Sequence, residues 1–175
     1  IGQACVWLSL WPLVMNEIIP LWSGFIIASF CACMSYLPSH EAQHGNYSRG
    51  NPKKKWIDRF VGSFTLITLI YPYEILRVTH MKHHAHTNNE DKDPDFITSN
   101  ANSVKEVILC SLDGTSTDYA KYKDIYADDA AFQKAFDKGV NVFLAYRLIL
   151  MILVLLFPLQ TLLLWWLPAK IGVVY

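Results

Sequence analysis

A chain of 175 residues is long enough for one domain, yet 53% of it is hydrophobic and only 17% is charged, where soluble domains carry about 25% charged residues. That leaves too little polar surface for a protein at ease in water and points to a membrane. Fifteen Lys and Arg balance fifteen Asp and Glu, so bulk charge argues for no nucleic-acid partner and only the placement of charges is informative.

In chain order, residues 4–15 are apolar but short, and are expected to be the tail of a transmembrane helix. The chain opens on Ile1 and ends at Tyr175 inside an apolar stretch, without a basic leader or a small-residue cleavage site. It is expected to be a fragment, truncated at both ends, of a single membrane domain covering residues 1–175. Residues 18–37 carry no charge and are long enough for a hydrocarbon core of about 30 Å at about 1.5 Å per residue. Cys5, Cys31, Cys33 and Cys110 form no C-x-x-C pair and read as small hydrophobes rather than a disulfide or zinc framework.

Lys and Arg are absent from residues 1–37 but cluster as Arg49, Lys53, Lys54, Lys55 and Arg59, with eight more over 77–139. The positive-inside rule makes both polar stretches cytoplasmic. The apolar stretch between them, 60–76, is short and carries Pro72 and Glu74. A crossing there would separate the flanking polar stretches by about 30 Å of bilayer, so an interfacial or re-entrant helix is expected instead. Residues 99–139, with Gly114 and an amphipathic run at 130–136, read as a cytoplasmic loop holding one or two short helices. Residues 142–167 are a long apolar stretch interrupted by Arg147, Pro158 and Gln160, with Trp165 and Trp166 suiting an aromatic belt. Pro168 is expected to start a return helix.

All six histidines fall in two runs, His40-Glu-Ala-Gln-His44 and His80-Met-Lys-His83-His84-Ala-His86. Positions three and four apart share a helix face, so His40 and His44 can reach one metal. His80, His83 and His84 lie within an arc of about 100°, while His86 falls outside it and is a possible further ligand. Imidazole suits Zn, Cu, Fe and Ni. The first run is also an H-E-x-x-H motif, in which His40 and His44 would bind zinc and Glu41 would act as general base of a membrane metalloprotease. Three or four more histidines in the second run exceed what a protease needs and fit a two-metal cluster better. A metal-ion transporter would require ionisable residues within the spans, and 18–37 has none.

The two runs resemble the first two histidine boxes of the membrane fatty acid desaturase superfamily, which includes carotenoid hydroxylases and ketolases. Residues 85–95, Ala-His-Thr-Asn-Asn-Glu-Asp-Lys-Asp-Pro-Asp, are similar to the stretch after the second box. The resemblance covers roughly 18–175 and implies an all-α integral membrane bundle with a non-haem di-iron centre at its cytoplasmic mouth. It implies that His40, His44, His80, His83, His84 and possibly His86 ligate two irons, with Glu41, Asp93 and Asp95 as candidates to orient the ligating rings. Asp91, Asp93 and Asp95 read equally well as a solvated acidic turn.

The implied reaction is O₂-dependent oxidation of a membrane lipid, with fatty-acyl desaturation ahead of carotenoid or other lipid hydroxylation. Electrons would come from a ferredoxin or a cytochrome b5-like protein. Lys53, Lys54 and Lys55 either dock that donor or anchor the chain on anionic lipid. Two positions depart from the family pattern. Glu41 replaces a common Asp, and no histidine follows His86, so the third box is expected beyond Tyr175 and this fragment alone is expected to be inactive.

Overall fold

The computed structural model describes residues 1–96, 102–113 and 122–174, and every regular element among them is helical. Gly114 lies outside the described residues. Two compact units are present, one formed by Ile1–Tyr73 with Val142–Val173 and the other by Glu74–Asn141.

The first unit begins with α1, Gly2–Met15. Its buried residues Ala4, Trp7, Leu10 and Val14 recur every three or four positions, which gathers them into one stripe. α2, Leu21–Cys33, and α3, Tyr36–Gln43, are separated by a single turn at Met34–Ser35. The Ser35 hydroxyl donates to the Cys31 carbonyl there (2.6 Å). Together they form a 23-residue apolar run, Leu21–Gln43, about 34 Å long. The helical span therefore continues past residue 37 and carries His40 in its last turns.

α4, Lys55–Leu66, is followed by a 3-10 turn, Ile67–Leu69. At about 1.5 Å per residue, its 12 residues reach about 18 Å, well short of a bilayer. Its inner face holds Asp58, Val61, Gly62, Thr65 and Leu66, and it packs on α3. The chain then reverses at Ile70, whose φ of 59° and ψ of 36° are left-handed. A β-branched residue pays a steric penalty in that region. Ile70 is held there by packing on the cluster of Trp7, Leu10, Ala28, Cys31 and Trp165.

Tyr73 closes this corner. Its hydroxyl donates to the Ala42 carbonyl (2.8 Å), and its ring fills the space above Gly62. A Cβ at Gly62 would lie 2.2 Å from Tyr73 Cε2, and the ring cannot swing away without losing the Ala42 bond. Gly62→Ala is expected to destabilise the unit by about 1–3 kcal/mol through overpacking. Tyr73→Phe, which removes only the hydrogen bond, is expected to cost about 1 kcal/mol. Thermal unfolding of both variants checks the order, and an unchanged Tm for Gly62→Ala would contradict this packing.

In the second unit, α5, Tyr73–His86, carries the second histidine run, and α6 covers Val104–Asp113. A short helix over 122–125 leads to α7, Ala130–Leu156. Asp129 caps α7 by accepting from the Phe132 N–H (2.9 Å) and pairs with Lys82 (2.8 Å). Ile75, Tyr122, Tyr126, Phe132 and Phe136 form this unit's apolar core. The amphipathic run at 130–136 is thus the first two turns of a 27-residue helix, not a separate short helix in a loop. Past Asn141, α7 belongs to the first unit, and Leu144, Leu148, Met151, Leu155 and Leu156 are exposed. Exposed apolar side chains on such a helix suit lipid rather than water. Leu21–Gln43 and Ala130–Leu156 are the two helices among the described residues long and apolar enough to cross a membrane.

The next helix opens at Pro158, ten residues before the expected point. Phe157 leaves helical geometry (φ −142°, ψ 64°) and Pro158 opens α8, Pro158–Thr161, as proline does well at a first helical position. A π-helical turn, Leu162–Trp166, leads into α9, Leu167–Val174. Pro168 lies inside this helical run because its missing N–H leaves nothing stranded. The Leu164 carbonyl, four residues back, accepts instead from the Trp7 indole N–H (2.7 Å). Trp165 is buried rather than interfacial. Its indole donates to the Ile67 carbonyl (2.7 Å), and its ring meets Trp7 and Tyr146. Trp166 is exposed, as a belt residue would be.

Candidate metal centre

The first histidine pair sits at a helix end that the local sequence specifies. His44 caps α3, and Gly45 follows with a φ of +74°. The Gly45 N–H donates to Ala42 O (3.0 Å) and the Asn46 N–H to Glu41 O (3.1 Å). This is the Schellman arrangement, which needs a residue without a Cβ penalty at that point. The next turn is pinned by buried Asp58, whose Oδ1 accepts the N–H groups of Tyr47 and Ser48, each at 3.1 Å. His40 and His44 thereby lie on successive turns, edge to face, with ring centroids 4.7 Å apart. Each offers a ring nitrogen within 4.8 Å of the other's. Glu41 is exposed, 3.5 Å from His40 Nδ1, and its Oε2 accepts from the Asn46 amide (2.5 Å).

The second set is tighter. On α5, His80 is buried and its Nε2 lies 3.1 Å from His84 Nε2. Two imidazole nitrogens each about 2.1 Å from one ion stand about 3.1 Å apart when they subtend a near-right angle there. The spacing fits a chelating pair, and a histidine cluster able to coordinate a metal ion is present among the described residues. The His83 ring lies 5.6 Å from that of His84 and 6.2 Å from that of His80. His86 instead stacks beside Tyr126, with centroids 6.2 Å apart.

Asp93 governs the loop after α5. It is fully buried, and its Oδ1 accepts from His83 Nδ1–H (2.7 Å) and from the Asp95 N–H (2.8 Å). Its Oδ2 accepts from the Asn88 N–H (2.8 Å). Burial pushes the carboxyl pKa up, but the bonds from His83, Asp95 and Asn88 outweigh it and hold the group below the ordinary carboxylate range. With Nδ1 as donor, His83 is held in the tautomer whose Nε2 lone pair is available. Asp95 is half-exposed, 3.9 Å from the same nitrogen, and Asp91 faces solvent.

Two residues that sequence reasoning did not single out support this loop. The Tyr122 hydroxyl donates to Asp93 O (2.7 Å) and the Tyr126 hydroxyl to Lys92 O (2.6 Å). Tyr126 also lies under the Lys82 ammonium, 4.4 Å from the ring centroid. Only their aromatic character within a polar stretch marked them.

Comparison with known proteins agrees with this chemistry. Curated relatives include an sn-1 oleoyl-lipid 12-desaturase of Picosynechococcus sp., 32% identical over 78 residues, covering 43% of this chain and 20% of that protein. A chloroplastic omega-6 fatty acid desaturase of Arabidopsis thaliana is 34% identical over 67 residues, covering 38% and 13%. An sn-1 acyl-lipid omega-3 desaturase (ferredoxin) of Nostoc sp. is 25% identical over 79 residues, covering 45% and 21%. The matched stretches thus span about a fifth or less of these relatives' lengths. No solved structure matches. The family model described as fatty acid desaturase matches residues 16–175, a range that takes in both histidine runs and the Asp93 loop. On that match, this integral-membrane helical chain belongs to the fatty acid desaturase family.

Proposed function

We propose that the whole protein is an O₂-dependent, non-haem di-iron oxidoreductase of membrane lipid, and that its reaction is fatty-acyl desaturation. The observation that carries the proposal is an imidazole donor set, with His80 and His84 nitrogens 3.1 Å apart, in a chain of this family. The names of the relatives, lipid 12-, omega-6 and omega-3 desaturases, favour desaturation over carotenoid or other lipid hydroxylation.

In this reading His40, His44, His80, His83 and His84 ligate iron. His86 is the sixth candidate, and its stacking on Tyr126 favours a role in holding the end of α5. Asp93 keeps the His83 ring turned and its Nδ1 protonated, leaving Nε2 to bind. Asp95 adds negative charge nearby, and Glu41 sits beside His40. Iron would supply the one-electron chemistry with O₂ that acid–base side chains cannot. Overall, two C–H bonds of the acyl chain are lost and one C=C bond forms. O₂ takes up those two hydrogens with two electrons and two protons from outside, giving two waters. The relative from Nostoc is named for ferredoxin, which favours a ferredoxin-type donor here over a cytochrome b5-like one.

The outer face of α4 supports an interfacial position between the boxes. Trp56 is 65% and Phe60 51% exposed beside exposed Lys55 and Arg59, while Asp58, Val61, Gly62, Thr65 and Leu66 face inward. A short helix with aromatic and cationic side chains on its outer face suits the headgroup–acyl boundary. Lys53, Lys54 and Lys55 at its start favour the cytoplasmic side, and with it a cytoplasmic placement of both boxes.

The test is purification of the full-length protein, metal analysis, and incubation with a glycerolipid, O₂ and reduced ferredoxin. Two irons per chain and a new double bond are expected. One zinc without iron, with activity abolished by Glu41→Gln, would replace this reading with the metalloprotease. A hydroxylated product would replace desaturation with hydroxylation.

A further inference from the structure

The exposed row of α7 carries a charge among apolar side chains. Leu144, Leu148, Met151 and Leu155 are exposed and, three or four positions apart, lie along one side of the helix. Arg147 is exposed between them. Residues 142–173 contain no Asp or Glu. Among the described residues the Arg147 guanidinium lies over the Phe143 ring, 4.5 Å from its centroid, and forms neither an ion pair nor a side-chain hydrogen bond. One aromatic ring returns far less than the cost of a cation held in hydrocarbon.

The direction of the side chain shows how that cost is reduced. Phe143 is one turn before Arg147, so the guanidinium runs back along α7 and away from Phe157. From the level of Phe143 to Leu156 the helix rises about 20 Å, which is about 10 Å short of a hydrocarbon core. Lys170 repeats the pattern on the helix that follows. The rings of Tyr146 and Trp165 meet with centroids 6.4 Å apart, so the chain doubles back between them, where the helix breaks at Phe157. Lys170 lies about 7 Å of helix beyond Trp165, and Phe143 lies about 4 Å before Tyr146. Both cations are therefore on the side of the Tyr146–Trp165 contact away from Phe157, at nearly one level. Among the described residues Lys170, half-buried on α9, has no carboxylate partner either.

We infer that phosphate groups of membrane phospholipids sit at Arg147 and Lys170, so that the headgroup layer dips to the level of Phe143 and the apolar layer beside α7 is about 20 Å thick instead of about 30 Å. The planar guanidinium suits the oxygens of a phosphate diester. A carboxylate on one partner helix would answer one cation facing outward from α7. Two cations on two helices at one depth, with the guanidinium laid along its own helix, match a layer of anions. Local thinning and side chains that reach for the interface are the general ways a bilayer accommodates such a residue. The dip forms in whichever leaflet faces the start of α7 and takes no part in the oxidation chemistry.

The experiment uses the full-length protein in nanodiscs of phosphatidylcholine, or of digalactosyldiacylglycerol, which has no phosphate. Leu144→Cys and Met151→Cys, about 10 Å apart along the row, are treated with a charged maleimide, and the labelled peptides are quantified by mass spectrometry. In phosphatidylcholine Leu144→Cys is expected to react about tenfold faster than Met151→Cys. Exchanging the lipid for digalactosyldiacylglycerol, or adding Arg147→Leu, is expected to slow Leu144→Cys about tenfold, the worth of a charge-assisted hydrogen bond. Arg147→Lys is expected to keep part of the rate. The lipid exchange leaves Arg147 unaltered, so it tests the phosphate even where Arg147→Leu fails to fold. Equal, slow labelling at both positions, as when another segment of the full chain or a second copy covers the row, would overturn the inference. So would a fast Leu144→Cys indifferent to both the lipid and Arg147→Leu, which would place residue 144 in water or at an ordinary headgroup boundary.

Discussion

His84→Ala in the full-length protein is expected to lower lipid desaturation at least a hundredfold and to reduce bound iron, because outer partners of metal ligands already cost about 10–100-fold when lost and a ligand costs more. The geometry makes the effect larger than the loss of one ring. His80 Nε2 and His84 Nε2 face each other at 3.1 Å, and His80 is buried. Removing His84 leaves a buried imidazole nitrogen without its companion donor, so the remaining site cannot regain its geometry by a small shift. Lys134→Ala, at an exposed position of α7, is the control and should change neither quantity. Iron content by metal analysis and product by gas chromatography provide the readout. Wild-type iron and activity in His84→Ala would remove His84 from the ligand set and with it the chelating-pair argument.

Asp93→Asn is the second large effect. The carboxylate accepts three hydrogen bonds, one from the His83 ring and two from backbone N–H groups. An amide can present only one oxygen, so its NH₂ would face either the Asn88 N–H or the pair of donors on the other side. At least one buried donor is left unsatisfied, at about 1–3 kcal/mol. The His83 ring would also lose the acceptor that fixes its tautomer, which predicts a drop of about 10–100-fold in metal affinity. Metal titration of the purified variant, with thermal unfolding of the metal-free protein beside it, separates the two effects. If both quantities matched the wild type, the role given to Asp93 would be wrong.

Much of this was legible in sequence because the signals were of the kind that a single chain displays. Apolar length marked Leu21–Gln43 and the later part of α7, and a count of histidines in two short runs marked the candidate centre. Where the reading differed from the structure, the deciding groups came from elsewhere in the chain. Pro168 is tolerated inside a helix because the Trp7 indole takes up the carbonyl it would have left bare. Trp165 is withdrawn from the interface by the Ile67 carbonyl. The reversal at Ile70 has no glycine to announce it, since packing on Trp7, Ala28 and their neighbours holds it. The start of α7 reads as a loop because its first turns are polar on one side, while Phe132 and Phe136 bury the other against Tyr122 and Tyr126. Among the acidic triplet 91, 93, 95, alternation alone could not say that Asp93 is the one turned inward, because that depends on the Asn88 and Asp95 amides and on Tyr122.

The Asp93 loop also bears on what holds this end of α5 in place. In small zinc domains the polypeptide is unfolded until metal arrives, and binding and folding are one event. Here the ring of His83 is oriented by Asp93, and the loop that carries Asp93 is tied to Tyr122 and Tyr126 by hydroxyl–carbonyl bonds between groups of the chain itself. The entropy of ordering this end of α5 is lost during folding of the chain itself. A metal bound at these rings would add its bonds to a loop that the chain's own hydrogen bonds also hold.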